Sequence, residues 1–298
     1  MDAGSPAHSS RARPLLVLSA WALMLLVSDL PNILLDLSGG EPTWLLWTKV
    51  GLLAAFLVLS LSARLFRPLW PYGLIFLVFY FAKWVGTPAR WQHLFGEERA
   101  SFPLGQLGIQ VGELAGMAVV LAVLWAILRR RGAFFLKVGQ LDAPFEPVRW
   151  LGIRRGETWK TFGWIFSAVI GGGALVFLAT AAGPLLGEFW QVVPLLPVVV
   201  LLSAMHALSE ELTFRAPLLA TTHGVIGRDQ ALWLTVVFFG LSHYSYGDPS
   251  RPIGFLMTGF LAFVLGKSML ETRGCLWALF MHMVADIPIF AWYALRSV

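Results

Sequence analysis

A single cysteine, Cys275, stands among the 298 residues. One thiol cannot close an intrachain bridge or supply a set of thiolate ligands, so neither a disulfide framework nor a cysteine-held metal is open to this chain. Charge is scarce as well: 13% of the residues are Asp, Glu, Lys or Arg, against 57% hydrophobic residues and a mean hydropathy of +0.72. So few charges cannot cover a water-facing surface, which excludes a soluble globular protein and leaves a polytopic membrane protein. No internal repeat and no low-complexity region is present. The net charge of +5 does not imply nucleic acid, because the basic residues are dispersed in short loops between apolar runs, where they report membrane orientation.

What is abundant is apolar sequence in lengths that cross a bilayer. Residues 1–13 are small, polar and basic and read as a disordered cytoplasmic tail. Spanning runs follow at about 14–35, 43–62, 70–87, 106–128, 162–182, 192–220, 230–246, 252–270 and 275–295. The first is long for a signal peptide and lacks a small-x-small cleavage site, so it is read as an uncleaved span. The expectation is an all-α transmembrane bundle of eight or nine spans, with N-terminal helices over 14–187 and a functional core over 188–298. Of the 22 Lys and Arg residues, fifteen fall in loops on one side, four on the other and three within spans. That asymmetry puts the N-terminus in the cytoplasm and, with nine crossings, the C-terminus outside, as in a bacterial inner membrane. The longest cytoplasmic connection, about 129–161, mixes Phe134, Phe135, Phe145, Trp150 and Trp159 with basic groups, as suits a segment at headgroup level. Trp44, Trp47, Trp70, Trp84, Trp190 and Trp292 fall near span ends, where an aromatic belt is expected.

The exceptions to apolarity concentrate late in the chain. His206, Glu210, Glu211 and Arg215 share one long apolar run, and ionisable groups inside a span cost about 2.5–3.5 kcal/mol each on insertion scales, so they are paired and mark sites. On a helix Glu211 and Arg215 stack four apart as an ion pair, while the neighbouring Glu210 points about 100° away and can face a cavity. The next run carries Phe239 and His243, and the last carries His282 and Asp286, again four apart. Asp29, Lys49, Lys83 and Glu113 lie in other spans and read as interhelical partners or groups snorkelling at span ends. Glu113 has no evident partner in the sequence and is a candidate for substrate gating.

These three motifs, in this order, resemble the CPBP family of intramembrane glutamic endopeptidases, the CAAX-processing and bacteriocin-processing or Abi family, which includes the type II CAAX prenyl endopeptidases. Its pattern of EExxxR, FxxxH and HxxxN or HxxxD is matched by Glu210-Glu211-x-x-x-Arg215, Phe239-x-x-x-His243 and His282-x-x-x-Asp286. The resemblance covers roughly residues 190–290. It implies that Glu210 is the general base, that His243 positions the attacking water, and that His282 and Asp286 form or support the oxyanion site. Glu211, Arg215 and Phe239 would support the site or contact substrate. It implies no cofactor, a lipid bilayer as surroundings and a membrane-anchored protein or peptide as substrate. An ionised Asp286 would repel an oxyanion, so Asp286 is expected either to be protonated or, preferably, to hold His282 in one tautomer as the donor.

Other chemistries use similar residues. Zinc could be held by His243, His282 and Glu210, but HExxH is absent and His206-x-x-x-Glu210 is not a metalloprotease motif. A serine mechanism would need a partner for Ser242 other than the adjacent His243, and no GxGD-type aspartyl motif occurs. A transporter or non-catalytic scaffold could employ the same polar cluster, though no matching inverted half is present.

Overall fold

The computed structural model describes residues 12–40, 42–95, 101–128, 135–153, 155–246 and 249–297. The tail at 1–11, including the expected disordered segment up to its last residues, and Phe134 of the 129–161 connection lie outside the described residues. Every regular element among them is helical, as an all-α chain requires, and Pro144 and Thr158 form one isolated bridge. Seven helices are long and apolar enough to cross a membrane, or eight if one bent pair counts as a single span.

That bent pair is the expected first span, and it breaks. Helix α1 (Ala12–Val27) stops before Ser28 and Asp29, and α2 (Leu30–Leu37) restarts at an angle of 48° with Pro31 in its first turn. Proline supplies no N–H and disfavours α conformation in the residue before it, so a helix interrupted here resumes with proline at its start. The break leaves the Ser28 carbonyl to accept a hydrogen bond of 2.6 Å from the ammonium of Lys49, which also bonds the Asn32 side chain. Lys49 lies on α3 (Leu45–Ser62) and is buried, so its charge closes the gap in the helix ladder.

Packing divides the chain into two compact units, 1–78 with 218–263, and 79–217 with 264–298. The expected functional core over 188–298 is divided between both units. In the first unit, α1 packs on α2, α3 and α10 (Arg228–Tyr246), and the buried Tyr72 of α4 (Trp70–Val85) donates to the Ala20 carbonyl at 2.9 Å. Helix α10 is the run expected as the span 230–246. It is not among the membrane-length apolar helices, and the reason is its surroundings: Ala231, Leu234, Thr235 and Phe239 are buried in protein, so the helix does not have to present apolar side chains to lipid. Gly240 lets α10 approach α11 (Arg251–Thr272) closely, since a Cβ there would lie 2.9 Å from the Phe255 carbonyl oxygen.

The second unit holds α5 (Pro88–Phe95), α6 (Phe102–Leu128), α7 (Trp159–Ala182), a 3-10 run (Gly183–Leu195), α8 (Leu196–Glu210) and α12 (Leu276–Leu295). Glycine decides its close approaches. Gly112 and Gly116 of α6 would each put a Cβ within 2.9 Å of a backbone carbonyl on the α4 side, those of Gly86 and Ala82, so this small-xxx-small face permits helix contact without a side chain between. Gly171 of α7 stands where a Cβ would meet Val284 of α12 at 2.7 Å. Helix α12 thereby packs against both α7 and α8, and Val199, Leu202, Phe290, Ala291 and Ala294 form an apolar plug with Phe102 of α6.

Over its described length the 129–161 connection folds against protein. Phe135, Phe145, Val148 and Trp159 are buried, and the segment is tied to the ends of α11 and α12 by hydrogen bonds from Gln140 N–H to the Thr272 carbonyl, from Cys275 N–H to the Lys137 carbonyl and from the Trp277 indole to the Leu141 carbonyl. Glu271 anchors it further, accepting from the Trp159 indole at 2.7 Å and pairing with Lys267. Gly139, at φ +84°, makes the approach possible, because a Cβ would sit 2.8 Å from the Thr272 carbonyl oxygen. Trp150 of this connection is exposed; among the expected belt residues, Trp44, Trp47, Trp84 and Trp190 are exposed.

Candidate active site

Three helices of the second unit, with the turn that continues one of them, bring seven ionisable side chains to one place. Helix α8 runs apolar from Leu196 and carries His206, Ser209 and Glu210 in its last turns. Between the two glutamates the backbone changes pitch, and Glu211–Arg215 forms a π-turn, a rare local widening that occurs mostly at functional sites. Phe214 in this turn packs edge-on against Phe79 with ring centroids 5.5 Å apart. Helix α12, pressed in by the α7 contact, contributes His282 and Asp286, and α6 contributes Glu113.

The most buried part is a brace. Glu211 and Arg215, 0% and 1% exposed, form the intrahelical ion pair that their spacing predicts. Glu211 Oε1 also lies 2.7 Å from Nδ1 of His282. An ionised carboxylate can only accept, so Nδ1 carries the proton and the imidazole is oriented with Nε2 toward the remaining acids. There Nε2 lies 3.6 Å from Glu210 Oε2 and 3.6 Å from Asp286 Oδ2. Both distances exceed a hydrogen bond. The tautomer-setting partner of His282 is thus Glu211, reached across helices, and not Asp286 as the i, i+4 spacing on α12 suggests.

Glu210 keeps its own direction, as neighbours on a helix must. Its side chain is 15% exposed, compared with 4% for His282, and its Oε1 lies 3.6 Å from Nε2 of His206 one turn back. His206 has its Nδ1 3.0 Å from Oε2 of Glu113, and Ser209 donates to the same oxygen at 3.1 Å. The His206 ring meets the His282 ring at a centroid distance of 6.2 Å and Phe290 at 5.8 Å, both edge-on. One carboxylate, Glu210, therefore sits between two imidazoles, each held from its far nitrogen by another carboxylate. Among the described residues no three His, Cys, Asp or Glu groups are gathered as a metal-ligand set.

His243 belongs to the first unit and is arranged within α10. Its Nδ1 donates to the Phe239 carbonyl at 2.9 Å, and its ring lies on the Phe239 ring with centroids 4.4 Å apart. The Phe-x-x-x-His spacing thus has a local physical meaning: one residue supplies the acceptor that fixes the tautomer and the face that fixes the ring plane. Ser242 donates to the same carbonyl at 2.8 Å, so its hydroxyl is engaged with the backbone.

Sequence reasoning selected Glu210, Glu211, Arg215, His282 and Asp286, and these five stand together. It gave Glu113 no partner and His206 no role. The signals were available: His206 precedes Glu210 by four residues, and Glu113 follows the first glycine of a Gly-xxx-Gly face that marks α6 as a contact helix.

Residues 191–288, about a third of the chain, match the family model described as type II CAAX prenyl endopeptidase Rce1-like. No curated protein and no solved structure matches.

Proposed function

We propose that this chain, with its Rce1-like segment over 191–288, is an intramembrane glutamic endopeptidase that cuts a membrane-associated protein or peptide. The observation carrying this reading is the position of Glu210: a partly exposed carboxylate 3.6 Å from an imidazole nitrogen on either side, in a protein interior of helices. Hydrolysis of a peptide bond needs a base for water, and a positioned carboxylate is such a base. Glu210 takes the water proton as the oxygen attacks the scissile carbonyl. His243 holds that water by the role the motif resemblance gives it, with the tautomer that Phe239 imposes. His282, held at Nδ1 by Glu211, turns Nε2 to the charge developing on the carbonyl oxygen, and Asp286 supports it there. Glu211 and Arg215 are the brace for this imidazole.

The substrate class we assign is a tail or precursor segment at the membrane, with a prenylated C-terminal peptide as the first probe. The enzyme resides in a bacterial inner membrane with its N-terminus cytoplasmic, which the lysine and arginine asymmetry supports, and the proposed reaction uses no metal.

The test is cleavage of a farnesylated CAAX peptide by the full chain in proteoliposomes, together with comparative membrane proteomics of cells carrying wild type or Glu210→Gln. The expected result is a cut product that is insensitive to chelator in the wild type, and an uncut precursor accumulating with Glu210→Gln at unchanged protein abundance. Equal processing by both chains would overturn the assignment, and cleavage abolished by chelator and restored by zinc would replace it with a metal mechanism.

A further inference from the structure

We infer that Glu113 and His206 form a proton relay serving Glu210, an inference that rests on the reading of Glu210 as general base. Neither residue is part of the three motifs, and Glu113 lies on α6, outside the matched segment 191–288. The relay is a continuous line of polar atoms: Glu210 Oε1 to His206 Nε2 at 3.6 Å, then His206 Nδ1 to Glu113 Oε2 at 3.0 Å. Ser209 fixes the far end by donating to Glu113 at 3.1 Å while it also bonds the His206 carbonyl at 2.9 Å. Exposure rises along the line, from 15% at Glu210 to 25% at His206 and 32% at Glu113. The charged and titratable groups facing His206 are Glu113 from α6, Glu210 from its own helix, and His282 and Asp286 from α12. His206 is thus the one imidazole joining the central acid to the more exposed one.

The chemistry gives an exit of this kind a use. When water adds to a peptide carbonyl, one O–H bond breaks, a C–O bond forms and Glu210 gains a proton. That proton goes to the leaving nitrogen as the C–N bond breaks. The second proton of the same water remains on the new carboxylic acid, and Glu210 can hold only one at a time. Donation by Nδ1–H to Glu113 leaves Nε2 of His206 with a lone pair directed at Glu210. The second proton passes from the product acid to Glu210 and from Glu210 to that lone pair, giving an imidazolium held by the Glu113 carboxylate, and leaves outward. The 3.6 Å step is longer than a hydrogen bond, as catalytic contacts commonly are before substrate tightens them.

The relay is tested with the full-length chain in proteoliposomes, using the farnesylated peptide probe. Glu113→Gln keeps an acceptor oxygen for the His206 Nδ1–H and for Ser209, so the fold is retained; kcat is expected to fall about tenfold or more with KM within about twofold. His206→Ala is expected to lose about a hundredfold in kcat, of which added free imidazole restores at least a tenth. A loss that imidazole does not relieve, or one matched by a changed KM and a lower melting temperature, overturns the relay in favour of a structural role. Glu210→Gln run alongside separates the two claims. Cleavage surviving that change defeats the base reading, whereas cleavage lost there but unaltered in Glu113→Gln and His206→Ala defeats the relay alone. A readout independent of substrate is the nitrogen-15 spectrum of the histidine-labelled chain, with the His206 signal assigned by its absence in His206→Ala. A neutral ring with its proton on Nδ1 is expected, and a resting ring that carries a proton on Nε2, neutral or as imidazolium, overturns the relay whether or not the probe is cut.

Discussion

Replacing Arg215 by Met should be among the most destabilising single changes in this protein, and the size of the effect follows from what the guanidinium faces. Arg215 and Glu211 are 1% and 0% exposed, and Glu211 is also bonded to His282. Methionine fills most of the volume but leaves the Glu211 carboxylate buried with only the imidazole to offset its charge. Two unit charges about 4 Å apart interact by about 4 kcal/mol at an effective dielectric constant near 20. Breaking one side of a buried pair typically costs about 3–5 kcal/mol. For a chain of this length about 2 °C of melting temperature corresponds to each kcal/mol, so a fall on the order of 6–10 °C is expected. The assay is thermal unfolding in detergent of wild type, Arg215→Met, Glu211→Gln and the double variant. Because the double variant removes both charges, it should recover much of the loss, giving a coupling of about 2 kcal/mol or more. Melting of Arg215→Met within about 1 °C of wild type, or strictly additive losses, would show that the two residues do not brace one another and would remove the physical basis for the orientation of His282.

Two further outcomes follow from the contacts. Asp286→Asn should retain substantial cleavage of the prenylated probe, because Glu211 and not Asp286 fixes the His282 tautomer; loss as complete as in Glu210→Gln would refute that division of labour. Gly116→Val should destabilise the chain by about 1–3 kcal/mol or more, since its Cβ would stand 2.8 Å from the Ala82 carbonyl oxygen, and unchanged unfolding in detergent would contradict the close α6 contact.

The local relations were legible in the sequence because helical periodicity fixes them. Residues four apart share a face wherever the helix goes, so the Glu211–Arg215 pair, the Phe239–His243 stack and the helical character of the chain could be read from spacing and composition alone. The same rule misleads when a competing partner comes from elsewhere. His282 and Asp286 are spaced to bond, yet the imidazole turns its Nδ1 to Glu211, a stronger acceptor because it is anionic, buried and held in place by Arg215. Hydropathy likewise picks out the long apolar helices, while α10 falls outside that set and has Ala231, Leu234, Thr235 and Phe239 buried in protein. Aromatics of the 129–161 connection suggest a headgroup position in the sequence, and what the fold adds is that Phe135, Phe145 and Trp159 among them are buried against protein.

Sequence by itself determined that this is a helical membrane protein and which residues carry charge into its interior. Tertiary structure decided which nitrogen meets which carboxylate, and it supplied Glu113 as the partner of His206. The reason is that contacts along one helix depend on a fixed 3.6-residue period, whereas contacts between helices depend on rotation and depth, and these are set by where glycines such as Gly112, Gly116 and Gly171 allow backbones to meet.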